Sequence, residues 1–566
     1  MNKLGTERAS QAPVLIVGAG PVGLGLALEL AYRNIHSILV DQGDGVVRYS
    51  KMGHVSVRSM EHCRRWGVAE AVHNCGFPRD YPLNQVFCTS LNGQHIGTLE
   101  YPSIAQERTT HDVSPEHKQR CPQLWFDPIL AKAAAARPEI VQRYRTKLRG
   151  FEQDGSGVRA QVEDLESGQI ETITAEYMVG CDGSGSTVRQ GLGIELEGDA
   201  VLSYSVGIYF TAPDLIKHHR MGPGSRYWLV GEEGTWGNLT VVDAKDIWRL
   251  TVIGGQQRVE AKDFDAHYWL QRCLGSKDIP YHIDAVLPWR RSRLLANRYG
   301  KGRVFLAGDA SHVNAPNGGY GMNTGLGDAV DLGWKLQAVL EGWGAEQLLS
   351  AYESERRPVG QRNVDAAAVN FSLTRPKLSY AHVEEEGSRG EAARAMLRRD
   401  MLDGTRQEWE TLGVHLGYRY EGSPLIWSDG TAAPPDDLSE YVPCARPGHR
   451  APHIGLGDGR SILDLFGKAF VMLCLGDGAA PAGETALAGV QAAAAELKMP
   501  FEIQVVPDRA AHVLYERRFV LVRPDGHVAW RGDAIDIDPH ALMRTVAGWD
   551  AQTLLEPADH NLALSK

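Results

Sequence analysis

The run VLIVGAGPVGLGLALEL, Val14 to Leu30, constrains the fold more than any other stretch of the chain. Four apolar residues, Val14 to Val17, lead into Gly18, Gly20 and Gly23, and an apolar helical segment follows, which is the strand, tight turn and helix of a Rossmann unit. Each glycine has its own task. Gly18 is expected to make the turn, Gly20 to let backbone approach a pyrophosphate, and Gly23 to let the helix pack on the strand, while the helix N-terminus offers unpaired N–H groups to phosphates. A second apolar strand, SILVD, ends at Asp41, where an acid accepts from ribose hydroxyls. These features imply a dinucleotide and leave NAD and FAD both open.

At 566 residues the chain exceeds one hydrophobic core and is expected to form two to four domains. A formal net charge of −11 without any basic block argues against a nucleic-acid partner. The polar start MNKLGTERASQAP and the lack of an apolar run of ~18 residues predict a cytoplasmic protein without a membrane segment. Eight cysteines lie scattered with no CxxC pair, as expected of reduced thiols, and His449 and His453 read as loop residues, so no metal site is expected. From about 196 to 295 the pattern turns period-two and aromatic (SYSVGIYF, SRYWLVGE, GNLTVVDA), which predicts an antiparallel sheet. The last third alternates strand and helix. Its glycine run IGLGDG, 454 to 459, lacks a flanking strand and helix and predicts a loop, so no second Rossmann unit is expected.

Two further segments carry a resemblance. MVGCDGSGSTVR, around Asp182, and GRVFLAGDASHVNAPNGGYGMNTGLGDAVDLGWKL, around Asp309, resemble the DG and GD motifs of FAD-dependent aromatic hydroxylases, the group A flavoprotein monooxygenases. The last third, RPGHRAPHIGLGDGRSILDLFGKAFVMLCLG with YERRFVLVRPDGHVAWRGD, is similar to the C-terminal thioredoxin-like domain of the phenol hydroxylase and 3-(3-hydroxyphenyl)propionate hydroxylase types, without a redox cysteine pair. The implied fold is α/β: a discontinuous Rossmann-like FAD-binding domain (1–80, 115–195, 296–380), an antiparallel-sheet substrate domain (81–114, 196–295), a helical connection (381–425) and a thioredoxin-like domain (426–566).

The resemblance resolves the cofactor in favour of FAD, whose ribityl chain needs the third segment. It places Gly18, Gly20, Gly23 and Asp41 at the adenosine end and Asp309 at the ribityl chain. Arg58 falls beside the phosphate and ribityl region, and Gln123 on the ribityl chain. Pro316, Gly318, Gly319, Gly321, Met322 and Asn323 pass along the isoalloxazine, and Asp182 with Arg189 bridges FAD and a transient nicotinamide site. The lesser alternatives are a solvated helix residue for Arg58 and a plain structural role for Gln123, and Asp182 can at the same time cap a turn. The implied cycle takes hydride from NADPH or NADH, reacts with dioxygen and delivers OH from a flavin hydroperoxide to a phenolic ring. The implied partners are a small aromatic substrate and dioxygen, with the chain a homodimer. Candidates for a base or for binding the ring are His54, Tyr204, Tyr209, Tyr227, Asp243 and Arg249, with Pro316 beside the flavin. Arg249, Arg290, Arg291 and Arg293 leave an acidic substituent open. A flavin-dependent halogenase is disfavoured because no WxWxIP signature occurs. A non-hydroxylating FAD oxidoreductase or FAD-binding scaffold is the alternative.

Overall fold

Runs such as Val14–Val17 and Ile38–Val40 are apolar at every position, so they form strands only where both faces are covered, as in a parallel sheet between helices. In the computed structural model, which describes residues 10–107, 112–373, 380–476 and 484–550, that is their setting. The strand Gln11–Val17 lies between Ser37–Val40 and Ile170–Gly180, with Ile140–Arg143 and Val304–Leu306 outside them, all parallel. Helices Pro21–Tyr32 and Tyr320–Leu340 pack together over this sheet. The pairing register has a direct consequence. Val17 stands opposite Val40 and Gly180, and Gly180 opposite Leu306. The strands therefore end level, and Gly18, Asp41, Asp182 and Asp309 emerge along one carboxyl edge, at the point where strand order reverses.

A second sheet contains, in order, His312–Val313, His282–Ala296, Leu196–Thr211, Ile247–Ile253, Gly234–Val241, Arg226–Gly231, Gln85–Cys88 and His95–Leu99. It is antiparallel as the period-two pattern predicts, except that Arg226–Gly231 runs parallel to Gln85–Cys88. One face packs Ile208, Phe210, Leu229, Leu239, Trp248 and Leu250 into a core of its own. The other face meets the first unit: the Tyr209 hydroxyl donates to the Ser50 carbonyl at 3.2 Å, and the Arg249 guanidinium to those of Ser50 and Lys51 at 3.0 and 3.1 Å. Helix Gly387–Thr405 covers the sheet's far end through Leu397 and Met401, which pack with Phe87, Leu99 and Trp228.

The last unit has the β-α-β-α-β-β-α order of a thioredoxin-like fold, with Phe470–Leu475 parallel to Phe501–Val506 and antiparallel to Phe519–Val522. Buried charge joins it to the first unit. Arg523 donates to Glu355 and Asp331, and Arg450 to Glu61, all on elements of the dinucleotide-binding half. Residues 454–459 form a turn followed by the single 3₁₀ turn Ile462–Leu465 and not by an α-helix. Among the described residues no helix is long and apolar enough to cross a membrane. The expectations that rest on residues 1–9 and 551–566 lie outside the described residues.

Candidate functional site

At the carboxyl edge the three fingerprint glycines separate by what a side chain would meet. A Cβ on Gly18, whose φ is +105°, would stand 2.4 Å from the Cys181 carbonyl oxygen, and one on Gly23 would stand 1.9 Å from that of Gly18. Both are closed by backbone. A Cβ on Gly20 would meet nothing within 4 Å, and Gly20 caps the helix Pro21–Tyr32 without any side-chain bond. Open space thus faces a helix N-terminus whose orphan N–H groups suit an anion. Asp41 is tied to this loop, its Oδ2 accepting the Ala19 N–H at 2.7 Å.

The GD turn is held from behind. Gly308 adopts a φ of +63° and donates its N–H to Asp328 Oδ2 at 3.1 Å. Asp328 also binds His312 Nε2 at 2.9 Å and accepts from Arg356 Nε at 2.9 Å. This leaves Asp309 facing outward; its carboxylate is reached by water yet enclosed by protein, as in a deep cleft, and burial raises its pKa against the pull of His312 and Lys51. A Cβ on Gly321 would lie 3.7 Å from Asp309 Oδ1, so the two flank the same cleft. Asp182 is committed otherwise. It accepts from Ser186 Oγ at 2.5 Å and from the N–H groups of Thr187 and Val188 at 2.7 and 3.2 Å, capping the helix Thr187–Leu192. Arg189 bridges the motifs, donating to the carbonyls of Ala310 and Ser184. Asp309→Ala should therefore lower FAD affinity with little loss of stability, whereas Asp182→Ala should cost about 1 kcal/mol of stability, as lost caps do. Flavin titration and thermal unfolding separate the two, and equal flavin loss in both would refute the assignment.

Gln123 holds the neighbouring segment. Its Oε1 accepts the Lys51 N–H at 3.1 Å and its Nε2 donates to Asp127 at 2.9 Å, where burial pushes the Asp127 carboxyl up to about 7. Arg58 departs from expectation. Its guanidinium donates to Glu61 at 2.6 Å and to the Asp525 carbonyl at 2.7 Å, so it braces the C-terminal unit instead of facing a phosphate. Lys51 supplies positive charge beside Asp309 instead. Asn323 is fully engaged: it accepts from the Ser56 N–H and Ser59 hydroxyl and donates to the carbonyls of His54 and Gly319. Met322 packs on the core of the first unit. The Pro316 carbonyl accepts the Gly319 N–H at 3.2 Å, and Gly319 caps the helix Tyr320–Leu340 with no side-chain bond, leaving its N-terminus free for negative charge.

On the second sheet, alternation decides which candidates reach the cleft. Tyr209, Arg249, Thr240 and Arg226 stand opposite one another across four strands and so share the face turned to the first unit. Tyr204 and Tyr227 fall on the other face and are corrected: Tyr227 is buried in the sheet's own core, with its hydroxyl donating to the Gly222 carbonyl and accepting the Gly224 N–H. Asp243 closes a turn by accepting three backbone N–H groups. Of the other arginines, Arg290 is exposed, Arg291 donates to the hydroxyls of Ser203 and Ser205, and Arg293 pairs with Asp199 and Asp365.

Three guanidiniums lie near one another beside this face, two of them unanticipated. Arg120 donates to the carbonyl of Val241, next to Thr240, and burial together with Arg226 and Arg249 pulls its pKa down to about 9. Arg226 is lowered by burial and by Arg249, against the opposing pull of Glu408. Each of the three has a buried Nε with no partner. His54 stands at their side, strand-paired with Arg120 and with its Cβ 3.6 Å from a Cβ on Gly319. Burial, His415, Lys118, Arg120 and Arg226 hold its imidazole neutral. Glu408, from the helical connection, is the matching acid. It accepts from Arg226 Nη1 at 3.1 Å and Asn317 Nδ2 at 3.2 Å. Arg226 and Arg249 meet only through Thr240 on a strand between them, and no local pattern marks Glu408.

Known proteins resemble this chain along most of its length. The FAD binding domain family matches residues 11–367, and the aromatic-ring hydroxylase C-terminal family matches residues 445–552. The chain is 31% identical to FAD-dependent monooxygenase apdD of Emericella nidulans over 97% of its own length and 92% of the relative's. It is 31% identical to 4-methyl-5-nitrocatechol 5-monooxygenase of a Burkholderia species, covering 94% of this chain and 96% of the other. Among solved structures, RebC soaked with chromopyrrolic acid and holding 7-carboxy-K252c superposes with a TM-score of 0.88 at 35% identity, over 96% of this chain and 100% of that one.

Proposed function

The chain belongs to the FAD-dependent aromatic-ring monooxygenases, and on that premise we propose that it hydroxylates a phenolic aromatic compound bearing a carboxylate, using NAD(P)H and dioxygen. The residues present fit FAD: open space at Gly20 before a helix N-terminus, Asp41 tied to the loop, and Asp309 facing Gly321 in an enclosed cleft. FAD supplies hydride acceptance and oxygen transfer when bound. The chain's own residues bind, orient and deprotonate.

The observation that carries the substrate class is the arginine cluster, since Arg120, Arg226 and Arg249 face one cleft, and among the described residues only Arg226 of the three has a carboxylate partner, Glu408. Buried cations need anions, and a guanidinium's planar fork matches a carboxylate. The acidic ligands named for RebC support the reading. The same positive potential favours phenolate over phenol: bringing a phenol with a pKa near ~10 down by ~3 units takes ~4 kcal/mol of differential interaction. His54, held neutral at the edge of the cluster, is our candidate to accept the proton. Eight free thiols support a reducing, cytoplasmic setting.

The test is NAD(P)H oxidation with product mass over hydroxybenzoates, hydroxynaphthoates and their methyl esters, run on the parent and on His54→Ala. The acids should be turned over with a KM lower by about 10²-fold, the size of ~2.7 kcal/mol, and gain one oxygen. His54→Ala should slow oxygen transfer more than flavin reduction. Esters used as well as acids would refute the substrate class, and unchanged coupling in the variant would refute His54.

A further inference from the structure

We infer that Glu408 is a built-in stand-in for the substrate carboxylate, occupying Arg226 until substrate displaces it and transmitting that displacement to the flavin-facing turn Pro316–Gly319. The inference rests on the carboxylate-substrate reading above. It makes Glu408 a positioning residue, acting through Asn317 and Gly318.

The geometry is that of a three-way link. Glu408 lies on the short 3₁₀ turn Arg406–Glu408 of the helical connection, outside both sheets, and its side chain is 2% exposed. One carboxylate oxygen accepts from Arg226 at 3.1 Å and the other from Asn317 at 3.2 Å, and the backbone at Gly318 also hydrogen-bonds to it. Trp409, the next residue, lies over the Arg226 guanidinium at 4.8 Å and screens that pair from water. Glu408 thus links the flavin-facing turn to Arg226 on the substrate sheet, a second connection beside the strand His312–Val313 that leads into the turn.

That carboxylate is poorly placed to stay. Burial raises the Glu408 pKa even with Arg226 at hand, so its charge is held at a cost. It satisfies one of three guanidiniums, whereas a substrate carboxylate between Arg120, Arg226 and Arg249 could accept from all of them. Such a ligand takes Arg226 and leaves Glu408 with Asn317 and Gly318 alone. The turn beside His54 then loses its link to Arg226 and stays joined to the sheet through the strand His312–Val313, which ties occupancy of the substrate cleft to the position of the turn.

The test uses the FAD-loaded full-length protein with 1-hydroxy-2-naphthoate and its methyl ester as probes. Equilibrium binding is read by calorimetry, and basal and probe-stimulated NAD(P)H oxidation are read separately. Glu408→Gln keeps the shape and the Asn317 contact but removes the competing charge. It should bind the acid about tenfold more tightly and leave ester affinity unchanged. Its basal oxidation should rise toward the stimulated rate. Asn317→Ser weakens the tether on the other side, leaving only the Gly318 backbone bond of the two, and should lower the stimulation ratio with acid affinity little changed; because it leaves the Arg226–Glu408 pair intact, it also serves if Glu408→Gln folds poorly. A parent that prefers acid to ester while neither variant moves these quantities would overturn the Glu408 role alone. A parent without that preference would overturn the substrate reading, and the inference with it.

Discussion

Gly23→Val should give a protein that neither folds stably nor holds FAD, while Gly20→Ala should fold as the parent does and bind FAD about 10²-fold more weakly, a loss of ~2.7 kcal/mol. The contrast follows from what surrounds each Cβ. At Gly23 the added atom would stand 1.9 Å from the Gly18 carbonyl oxygen, which is backbone of the turn itself. The helix must move off the strand, which costs more than the ~1–3 kcal/mol of ordinary overpacking and is a large share of a stability of ~5–15 kcal/mol. At Gly20 the backbone is extended, with φ −73° and ψ −178°, and a methyl enters open space. That space is where a pyrophosphate must approach the helix N-terminus. Thermal unfolding of the apoprotein and flavin fluorescence titration measure the two effects. A Gly20→Ala protein with parental FAD affinity would place the pyrophosphate elsewhere.

Much of the cofactor half was legible because its determinants are local. Gly18 and Asp41 directly follow apolar strands and Gly20, Gly23 and Asp309 come within a few residues of one, and a strand that ends in a glycine turn or an acid delivers it to the sheet edge whatever the distant chain does. Level strand ends are not local. They follow from the register of Val17 with Val40 and Gly180, which joins segments far apart in the sequence. Arg58 misled because an arginine in the first turn of a helix looks alike whether it faces a phosphate or another domain. Glu61, three residues on and now its partner at 2.6 Å, was the available signal. Tyr204 and Tyr227 misled for a different reason: period-two alternation sorts residues into two faces but does not say which face another unit covers. Glu408 gave no signal at all, since its meaning depends on Arg226 and Asn317, which approach it from different parts of the fold.

Arg120→Met and Arg249→Met should each raise the KM for an aromatic acid by roughly 30-fold to several thousand-fold, the range that ~2–5 kcal/mol spans for a truncated buried charge pair. KM for the matching ester should stay within about twofold, since the uncharged group gives up less than ~0.5 kcal/mol. Among the described residues neither arginine has a carboxylate partner: Arg120 donates to the Val241 carbonyl and Arg249 to those of Ser50 and Lys51. Removing one leaves no orphaned acid, unlike Arg226, whose loss would strand Glu408. Methionine fills a similar volume and relieves the repulsion that, after burial itself, pulls Arg120 down to about 9. The ligand-free Arg120 variant should therefore be as stable as the parent or ~1–2 kcal/mol more stable, as when buried ions give way to apolar side chains. Arg249→Met forfeits two bonds to the Ser50–Lys51 segment, so its stability should fall below that of the Arg120 variant. Arg249→Lys keeps the charge but loses the fork, and should recover only part of the acid binding. Steady-state kinetics on acid and ester, paired with thermal unfolding, separate a binding cluster from a structural one. Stability lost in step with activity, with acid and ester equally affected, would mean that the cluster supports the sheet and binds nothing. Unchanged stability with a selective loss for the acid would place the substrate's carboxylate among these three guanidiniums, because only a ligand present during turnover can supply the anion that the fold leaves out.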